Sequence, residues 1–479
     1  MDVTFSDTLR ISLEASQRFA RLSGDYNPLH IDPIAARRLR YGHSVVHGVH
    51  LYLCALNALV LRTSLVRVVP QSLTASFTSA ALTDASVAVD LTWDGTCARV
   101  AARDGERPIF HGSISFASTS GAGGLIEDTE FLPDTSHVLT FPPPIDEGRV
   151  ALRLNRALFA ELFPSLATLA ELGWIADVLA TTHVVGMRCP GLHSIYTGFQ
   201  LTRNAAPIRD HRLRYQVTGT EPRLQLVRLQ VTGAYLQGTL DTAFRPGPVA
   251  QLPIKDIAAA VSGISLADQR VLIVGGSRGL GELTAKIAAA AGADVTITYA
   301  RGKADADRVC MEVASIGGRC TSQALDLTQM ATDCPQWLRN AHFSHIYFFA
   351  TPSIARNTGP WSEGLFRQFM QFYVSAFARL VWCTRPRRDA LVRYLFPSSI
   401  FVDQPEAGFR EYAVAKAAGE ALCHQLRSIK GAQFCVPRLP RMKTDQTAAI
   451  SDVGALEPLP VMLNVVREFH AGERTAAFA

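Results

Sequence analysis

The stretch RVLIVGGSRGLGELTAKIAAAAGADVTITYA, beginning at Arg270, constrains the fold more than any other part of the chain. It reads as a buried strand, a glycine turn, a helix and a second strand. Strands alternating with helices signal a doubly wound parallel sheet. Gly275, Gly279 and Gly281 permit a turn tight enough for backbone amides and a helix start to approach a pyrophosphate. Glycine triplets are common. The placement after VLIV and before ELTAKIAAAAG makes this one informative, and residues 268–479 read as one α/β domain.

A chain of 479 residues is too long for one core, and roughly 100–200 residues per domain suggests three units. No apolar run reaches the roughly 18 residues a membrane span needs. The N-terminus has no basic region followed by an apolar one, so no secretory signal is expected. The nine cysteines lack any C-x-x-C pair or Cys/His cluster, which points to reduced thiols in a cytoplasm and no metal site. A net charge of +5 is mild for this length; it would suit an anionic partner, a phosphate-bearing small molecule or an acidic protein, but so small an excess reads first as a solvated surface. No basic stripe interleaved with aromatics supports nucleic-acid binding.

A second stretch carries chemistry. In SGDYNPLHID, Ser23 to Asp32, Asp25 and His30 stand five residues apart. The segments before and after have helical character. Pro28 argues against one continuous helix, so a rigid loop is expected to project carboxylate and imidazole towards one point. Such a pair can move a proton or activate a water near neutral pH. The plainer alternative is a capping Asp and a surface His sharing a turn.

Val49 to Val60 reads as a buried helix with Gly48 at its start, and His43, His47 and His50 as packing or pocket-lining residues. Four strand-like segments follow: SLTASFTSAA, SVAVDLTWDG, TCARVAARDG and RPIFHGSISFAS. They complete a helix-plus-sheet unit over 1–118, and Ser118 to Ser136 reads as a linker. The pattern then recurs over 136–246. LATLAELGWIADVLATTHVVGM is a second long helix, and three strands end at LQGTLDTAFRP. Pro70 and Pro190 suggest a repeat of about 120 residues. His183 and His193 lack an Asp five residues earlier and read as structural. Pro246 to Asp256 reads as a linker.

The string FARLSGDYNPLHIDPIAA resembles the signature of MaoC-like, (R)-specific enoyl-thioester hydratases, which are hotdog-fold enzymes. The resemblance implies that Asp25 and His30 are the catalytic pair, holding and deprotonating water. It also implies that an amide near Gly48, at a helix N-terminus, hydrogen-bonds the thioester carbonyl. Duplicated members with one active and one structural half match the recurrence, giving an α+β double hotdog at the N-terminus.

The spacing G-x-x-x-G-x-G resembles the short-chain dehydrogenase/reductases, an α/β Rossmann-like fold with a doubly wound parallel sheet. That resemblance adds Ser399 as the carbonyl-positioning serine and Tyr412 and Lys416 of YAVAK as the proton-donating pair. Four-residue spacing puts Tyr412 and Lys416 on one helix face, where an ammonium can depress the phenol's pKa. Cofactor contacts fall on Gly275, Ser277, Arg278, Gly279, Gly281, Arg301 and Asp326. Arg278 and Arg301, without an acidic residue after the second strand, favour NADPH over NADH. The sequence departs from the family at FFATPS, at VPRLPRMKTDQ and at Tyr373, which aligns with the family's relay asparagine.

Together these resemblances imply an enzyme that reduces a 3-oxoacyl thioester and reversibly dehydrates the (R)-3-hydroxyacyl product. The substrate would ride on CoA or an acyl carrier protein, and a homo-oligomer is expected. The alternatives are a hydratase with a non-catalytic nucleotide-binding domain, or a non-catalytic acyl-carrier docking scaffold.

Overall fold

The computed structural model describes residues 3–39, 41–63, 65–119, 126–144, 147–330, 334–354, 356–357, 359–387, 390–447 and 454–471. The chain divides into two compact units, Met1–Gly247 and Pro248–Ala479. Among the described residues no helix is long and apolar enough to cross a membrane.

The first unit is built on one ten-stranded antiparallel sheet. Its strands are β1 (Val3–Arg10), β2 (Val68–Phe77), β3 (Ser86–Trp93), β4 (Cys97–Asp104), β5 (Arg107–Ser118), β6 (Glu147–Ala151), β7 (Ser194–Arg203), β8 (Arg212–Glu221), β9 (Leu226–Thr232) and β10 (Leu236–Phe244). The order is β1-β3-β4-β5-β2-β7-β10-β9-β8-β6. Read outward from the central β2–β7 pair, the second half repeats the first with each strand number raised by five. Each half also supplies one central helix, Gly48–Thr63 and Gly173–His183. Both are buried nearly all round, so each helix serves as the core of its half.

Two glycines mark corresponding places. A Cβ on Gly112 in β5 would meet the Thr74 carbonyl at 2.4 Å. A Cβ on Gly238 in β10 would meet the Gln200 carbonyl in the same way. Pro70 and Pro190 are not equivalent, because Pro70 lies inside β2 and Pro190 ahead of β7.

The second central helix is shorter than the apolar pattern implies. Leu166–Thr168 is a separate turn of 3-10 helix, and Val184–Arg188 continues the helix as a π-helical turn. Asp177 anchors this helix to the sheet by accepting the backbone amides of Ala234, Tyr235 and Leu236 at 3.0, 2.6 and 2.8 Å. Within the Ser118–Ser136 segment, residues 126–136 are largely exposed but tied to the helix and motif before them. Phe131 accepts a hydrogen bond from Tyr26 Oη at 2.6 Å, and Glu130 pairs with Arg21 at 2.8 Å.

The second unit carries a six-stranded parallel sheet. Its strands are β11 (Arg270–Val274), β12 (Asp294–Tyr299), β13 (Arg319–Ala324), β14 (His345–Phe348), β15 (Val392–Leu395) and, after the short β16 (Ser398–Ser399), β17 (Ala432–Cys435). The order is β13-β12-β11-β14-β15-β17, while β16 pairs with β18 (Arg438–Leu439). The order reverses direction beside β11, and the cleft at such a reversal, beyond the strands' carboxyl ends, is where these sheets bind ligands.

Two expectations need correction here. Ile254–Ala260, which begins within the expected linker and runs past its end, is a helix whose Ile254 and Ile257 are buried in this unit's core. Apolar residues at i, i+3 and i+7, completed by Val261, give it a packing face. Nor are all cysteines free: Cys334 and Cys383 form a disulfide with Cα atoms 5.6 Å apart. Their separation of 49 residues left no local spacing to reveal it.

Candidate active sites

In the first unit the helix Leu13–Ser23 ends at Gly24 in the left-handed region, φ +78°. A Cβ there would also come within 2.2 Å of His183 Nδ1, so only glycine fits. The chain then turns Asp25 inward, 1% exposed. The segment after it is not a loop. Pro28–Ile31 forms one helical turn, capped by the Asn27 side chain, which accepts from Leu29 N. Proline interrupts a helix from behind but starts one well, since its missing amide is among those left unpaired anyway.

The turn delivers His30 to the same cavity. His30 Nδ1 lies 2.7 Å from the Val45 carbonyl. That bond assigns the ring proton to Nδ1 and leaves Nε2 as a bare acceptor. The Asp25 carboxylate accepts Thr182 Oγ1 at 2.6 Å and Asn27 N at 3.2 Å. Burial pushes the Asp25 carboxyl above its ordinary range, opposed by His30 and Thr182. Burial pushes His30 down, opposed by Asp25. Both shifts reflect one cost, that of charge in a dry site, and the imidazole is held neutral.

Several contributors are not visible in the motif. His47 stacks on His30 with centroids 3.9 Å apart, and its Nε2 donates to the Asp25 carbonyl at 3.1 Å. It therefore belongs to the site, whereas His50 packs flat on Phe19. Gly186, in the π-helical turn, makes room for the carboxylate; a Cβ there would lie 2.1 Å from Asp25 Oδ1. Asn27 Nδ2 donates to the carbonyls of Gly186, Gly191 and Leu192 at 3.2–3.3 Å. Thr182, Gly186 and Leu192 all come from the half without the Asp/His string. Asp25, His30 and His47 offer donor atoms within 4.8 Å of one another, a set able to take a metal ion. The hydrogen bonds just described also account for all three.

Gly48 opens the central helix and lines the same cavity, whose volume is about 130 Å³. Amides in a helix's first turn lack intrahelical partners and carry the positive end of the dipole. An oxygen with developing negative charge is thus favoured beside Asp25 and His30.

In the second unit Ser399, Tyr412 and Lys416 come together. The Tyr412 phenol is pushed up to about 12 by burial, with the Ser399 hydroxyl opposing. Lys416 Nζ donates to the Pro397 carbonyl at 2.7 Å. It lies 3.9 Å above the Tyr373 ring but 5.7 Å from that of Tyr412. Burial pushes Lys416 down to about 7. The expected depression of the phenol by the ammonium is therefore absent, because Lys416 is spent on Pro397 and Tyr373 and is itself poorly charged. Tyr373 is fully buried, its hydroxyl 2.5 Å from Thr351 Oγ1.

The glycine turn fits a dinucleotide phosphate. Gly275 has φ +83° and Gly279 φ +59°, and a Cβ on Gly281 would strike the Gly275 carbonyl at 2.1 Å. The helix Gly279–Ala290 starts without a side-chain cap, so its first-turn amides suit an anion. Glu282 in that turn is neutralised by Arg308 at 2.8 Å and Lys286 at 2.7 Å. Ser277 is buried in the turn. Arg278 lies 3.6 Å from Asp445. Arg301 is exposed just beyond β12. Asp326, after β13, accepts the Thr328 amide at 2.9 Å.

A family model described as MaoC like domain matches residues 1–107, and one described as short chain dehydrogenase matches residues 269–430. The chain joins a MaoC-like domain to a short-chain dehydrogenase domain. No curated protein matches it. Among solved structures, a short chain dehydrogenase from Burkholderia cenocepacia in complex with NADP is 22% identical at a TM-score of 0.36, covering 43% of this chain and 91% of that one. A 3-oxoacyl (acyl-carrier-protein) reductase from Agrobacterium tumefaciens with NADP bound is 18% identical at a TM-score of 0.38, covering 43% and 88%. The MaoC-like domain thus carries the Asp25/His30 cavity, and the dehydrogenase domain carries the glycine turn and Tyr412.

Proposed function

We propose that the protein is a bifunctional enzyme acting on acyl thioesters. The dehydrogenase domain reduces a 3-oxoacyl thioester with NADPH, and the MaoC-like domain interconverts the (R)-3-hydroxyacyl and trans-2-enoyl thioesters. The observation that carries this reading is the convergence of a neutral His30 and a buried Asp25 beside the helix start at Gly48.

In hydration, Asp25 and His30 Nε2 hold a water. His30 accepts a proton as the oxygen bonds to C3, and that proton is returned to C2. The Gly48 amide stabilises the charge that gathers on the thioester oxygen, an arrangement that strengthens only as the charge develops. Dehydration runs the same steps backward.

In the dehydrogenase domain, Gly275, Gly279, Gly281 and Ser277 would hold a dinucleotide's pyrophosphate, Arg278 and Arg301 would neutralise a 2′-phosphate, and Asp326 would serve the adenine end. The cofactor, when bound, would supply the hydride that the carbonyl carbon accepts. Ser399 positions the carbonyl, and Tyr412 Oη passes its proton to the carbonyl oxygen. The three-module division, with 136–246 as a second hotdog lacking the acid/base pair, is supported by the repeated strand order.

A second reading has one specific observation behind it. Lys416, pushed down to about 7 and held on Tyr373, gives Tyr412 little help. The dehydrogenase domain would then bind cofactor without turnover. Purified protein given acetoacetyl-CoA and NADPH separates the two. Loss of NADPH with crotonyl-CoA formed supports the bifunctional enzyme, and Asp25→Asn should then stop at 3-hydroxybutyryl-CoA. Tyr412→Phe should abolish NADPH loss while sparing crotonyl-CoA hydration. NADPH oxidation undiminished in Tyr412→Phe sinks the assigned reductase site.

A further inference from the structure

Two cysteines in the dehydrogenase domain are used by neither candidate site. Cys310, on the helix Lys303–Ala314, and Cys320, on the edge strand β13, are both free and half-buried. Their sulfurs lie 3.5 Å apart, across ten positions of sequence. The connection between them is a fixed turn. Gly317 holds φ +76°, Gly318 N donates to the Val313 carbonyl at 3.1 Å, and a Cβ on Gly318 would meet Val313 Cγ1 at 2.8 Å. Val309 and Val313, flanking Cys310 on the helix, are fully buried in the domain's core. Packing, rather than a mobile loop, therefore sets the distance between the two sulfurs.

A separation of 3.5 Å allows a thiol hydrogen bond and exceeds the roughly 2.05 Å of a disulfide by about 1.5 Å. Rotation of the two side chains supplies a shift of that size. The pair also differs from the other thiols. Burial pushes Cys54 and Cys423 up to about 12 and Cys189 up to about 11, where a thiolate is scarce. Cys310 is pushed down instead, because the Cys320 thiol hydrogen-bonds its sulfur, and Cys320 is pushed up by the same bond. One sulfur is thus the more readily ionised while its neighbour keeps its proton. That order suits attack by the first and closure by the second.

We propose that Cys310 and Cys320 are a redox modification site, a dithiol that closes reversibly to a disulfide and staples the helix Lys303–Ala314 to the edge strand β13. The co-reactant is a low-molecular-weight disulfide such as oxidised glutathione. The Cys310 thiolate attacks one of its sulfurs, breaking that S–S bond and releasing one reduced thiol. Cys320, losing its proton, then attacks Cys310 in the mixed disulfide and releases the second thiol. The protein gives up two electrons and two protons, and the glutathione disulfide takes them. The new bond closes a short loop and removes freedom from the unfolded chain, which stabilises the domain. The site is independent of the acyl-thioester reading and holds whether or not that reading does.

The test is peptide mapping of the full-length protein equilibrated with graded ratios of reduced to oxidised glutathione, remaining thiols being capped with N-ethylmaleimide. The peptides that hold Cys310 and Cys320 should become joined as the oxidised share rises and separate again with dithiothreitol. Cys320→Ser, which keeps a hydrogen-bond donor beside Cys310, should trap glutathione on Cys310. In Cys310→Ser, glutathione should reach Cys320 roughly tenfold more slowly than it reaches Cys310 in Cys320→Ser. Oxidised wild-type protein should also melt several degrees above the reduced protein, by a margin that Cys310→Ser lacks. That variant retains Cys334 and Cys383, so the difference isolates the new bond. Peptides that stay separate in the most oxidising buffer overturn the proposal, as does a bond from Cys310 to any other cysteine. A joined pair whose Tm gain is matched by Cys310→Ser overturns the staple.

Discussion

Gly186→Ala places a methyl group where the structure holds a carboxylate. The new Cβ would lie 2.1 Å from Asp25 Oδ1, 2.5 Å from Cγ and 2.6 Å from Oδ2, against a floor near 3.0 Å for real Cβ contacts. Either the carboxylate or the turn Val184–Arg188 must therefore shift by roughly 1 Å, and a misplacement of that size costs about 100-fold in rate. The carboxylate's bond from Thr182, at 2.6 Å, is the first casualty. A hydrogen bond to a charged group is worth about 1.5–3 kcal/mol, which agrees with the roughly 2.7 kcal/mol that 100-fold represents.

The expected outcome is a kcat for crotonyl-CoA hydration about 100-fold below wild type, with stability lowered by about 1–3 kcal/mol and a Tm drop of about 2–4 °C per kcal/mol. Gly219→Ala in β8 is the matched control, because a Cβ there meets nothing within 4 Å. A Gly186→Ala variant that keeps kcat within about threefold, a change worth under 1 kcal/mol, would refute the claim that this turn seats Asp25.

Asp25→Asn should lose hydration yet match or exceed wild-type Tm at neutral pH. Its folded-state pKa is raised by burial, so ionisation costs stability as pH rises above the ordinary carboxylate range. The variant's advantage should vanish in acid, and an advantage that grows in acid would be the wrong sign. His50, pushed down to about 3, is buried neutral. Stability should therefore be lost as pH falls below the ordinary histidine value, and near pH 4 the loss is about 3 kcal/mol. Denaturant titration of His50→Leu at both pH values should show that increment gone. In the dehydrogenase domain Lys416 titrates near about 7. The kcat/KM for 3-oxoacyl-thioester reduction should fall as pH rises through that value, and a flat profile would count against a role for the ammonium. Arg245 is 8% exposed, and its Nε and Nη1 have no partner. Because an uncompensated buried charge is costly, Arg245→Met should leave Tm unchanged or higher.

The sequence disclosed what is local. The glycine turn sits between a strand and a helix and could be read from its placement, whereas Asp25 and His30, within one short motif, were legible through the resemblance of the whole string FARLSGDYNPLHIDPIAA rather than from their spacing. Strands β2 to β5 alternate because one face of each is buried. β1 escaped notice for another reason: none of its eight residues is fully buried, and Asp7 interrupts the alternation of Val3, Phe5 and Leu9. β6, five residues with only Val150 buried, offered even less. At Tyr412 and Lys416 the spacing correctly put both on one helix face, but the sense of the pKa effect depends on desolvation, and that comes from Pro397, Phe396 and Tyr373. Spacing carries no information about it.

Thr182 and Gly186 were beyond reach for a deeper reason. Thr182 is 157 positions from the carboxylate it holds, in a stretch that reads as plain apolar helix. The half that lacks an Asp/His pair is therefore part of the site. It donates to Asp25, vacates the volume that the carboxylate fills, and supplies three carbonyls to Asn27. An Asp25 excised with its own half alone would lose the Thr182 bond that opposes its desolvation. Its pKa would then be set by whatever replaced that wall. The acid/base pair is written in ten residues, but its chemistry is set by a wall built from the other half of the sheet.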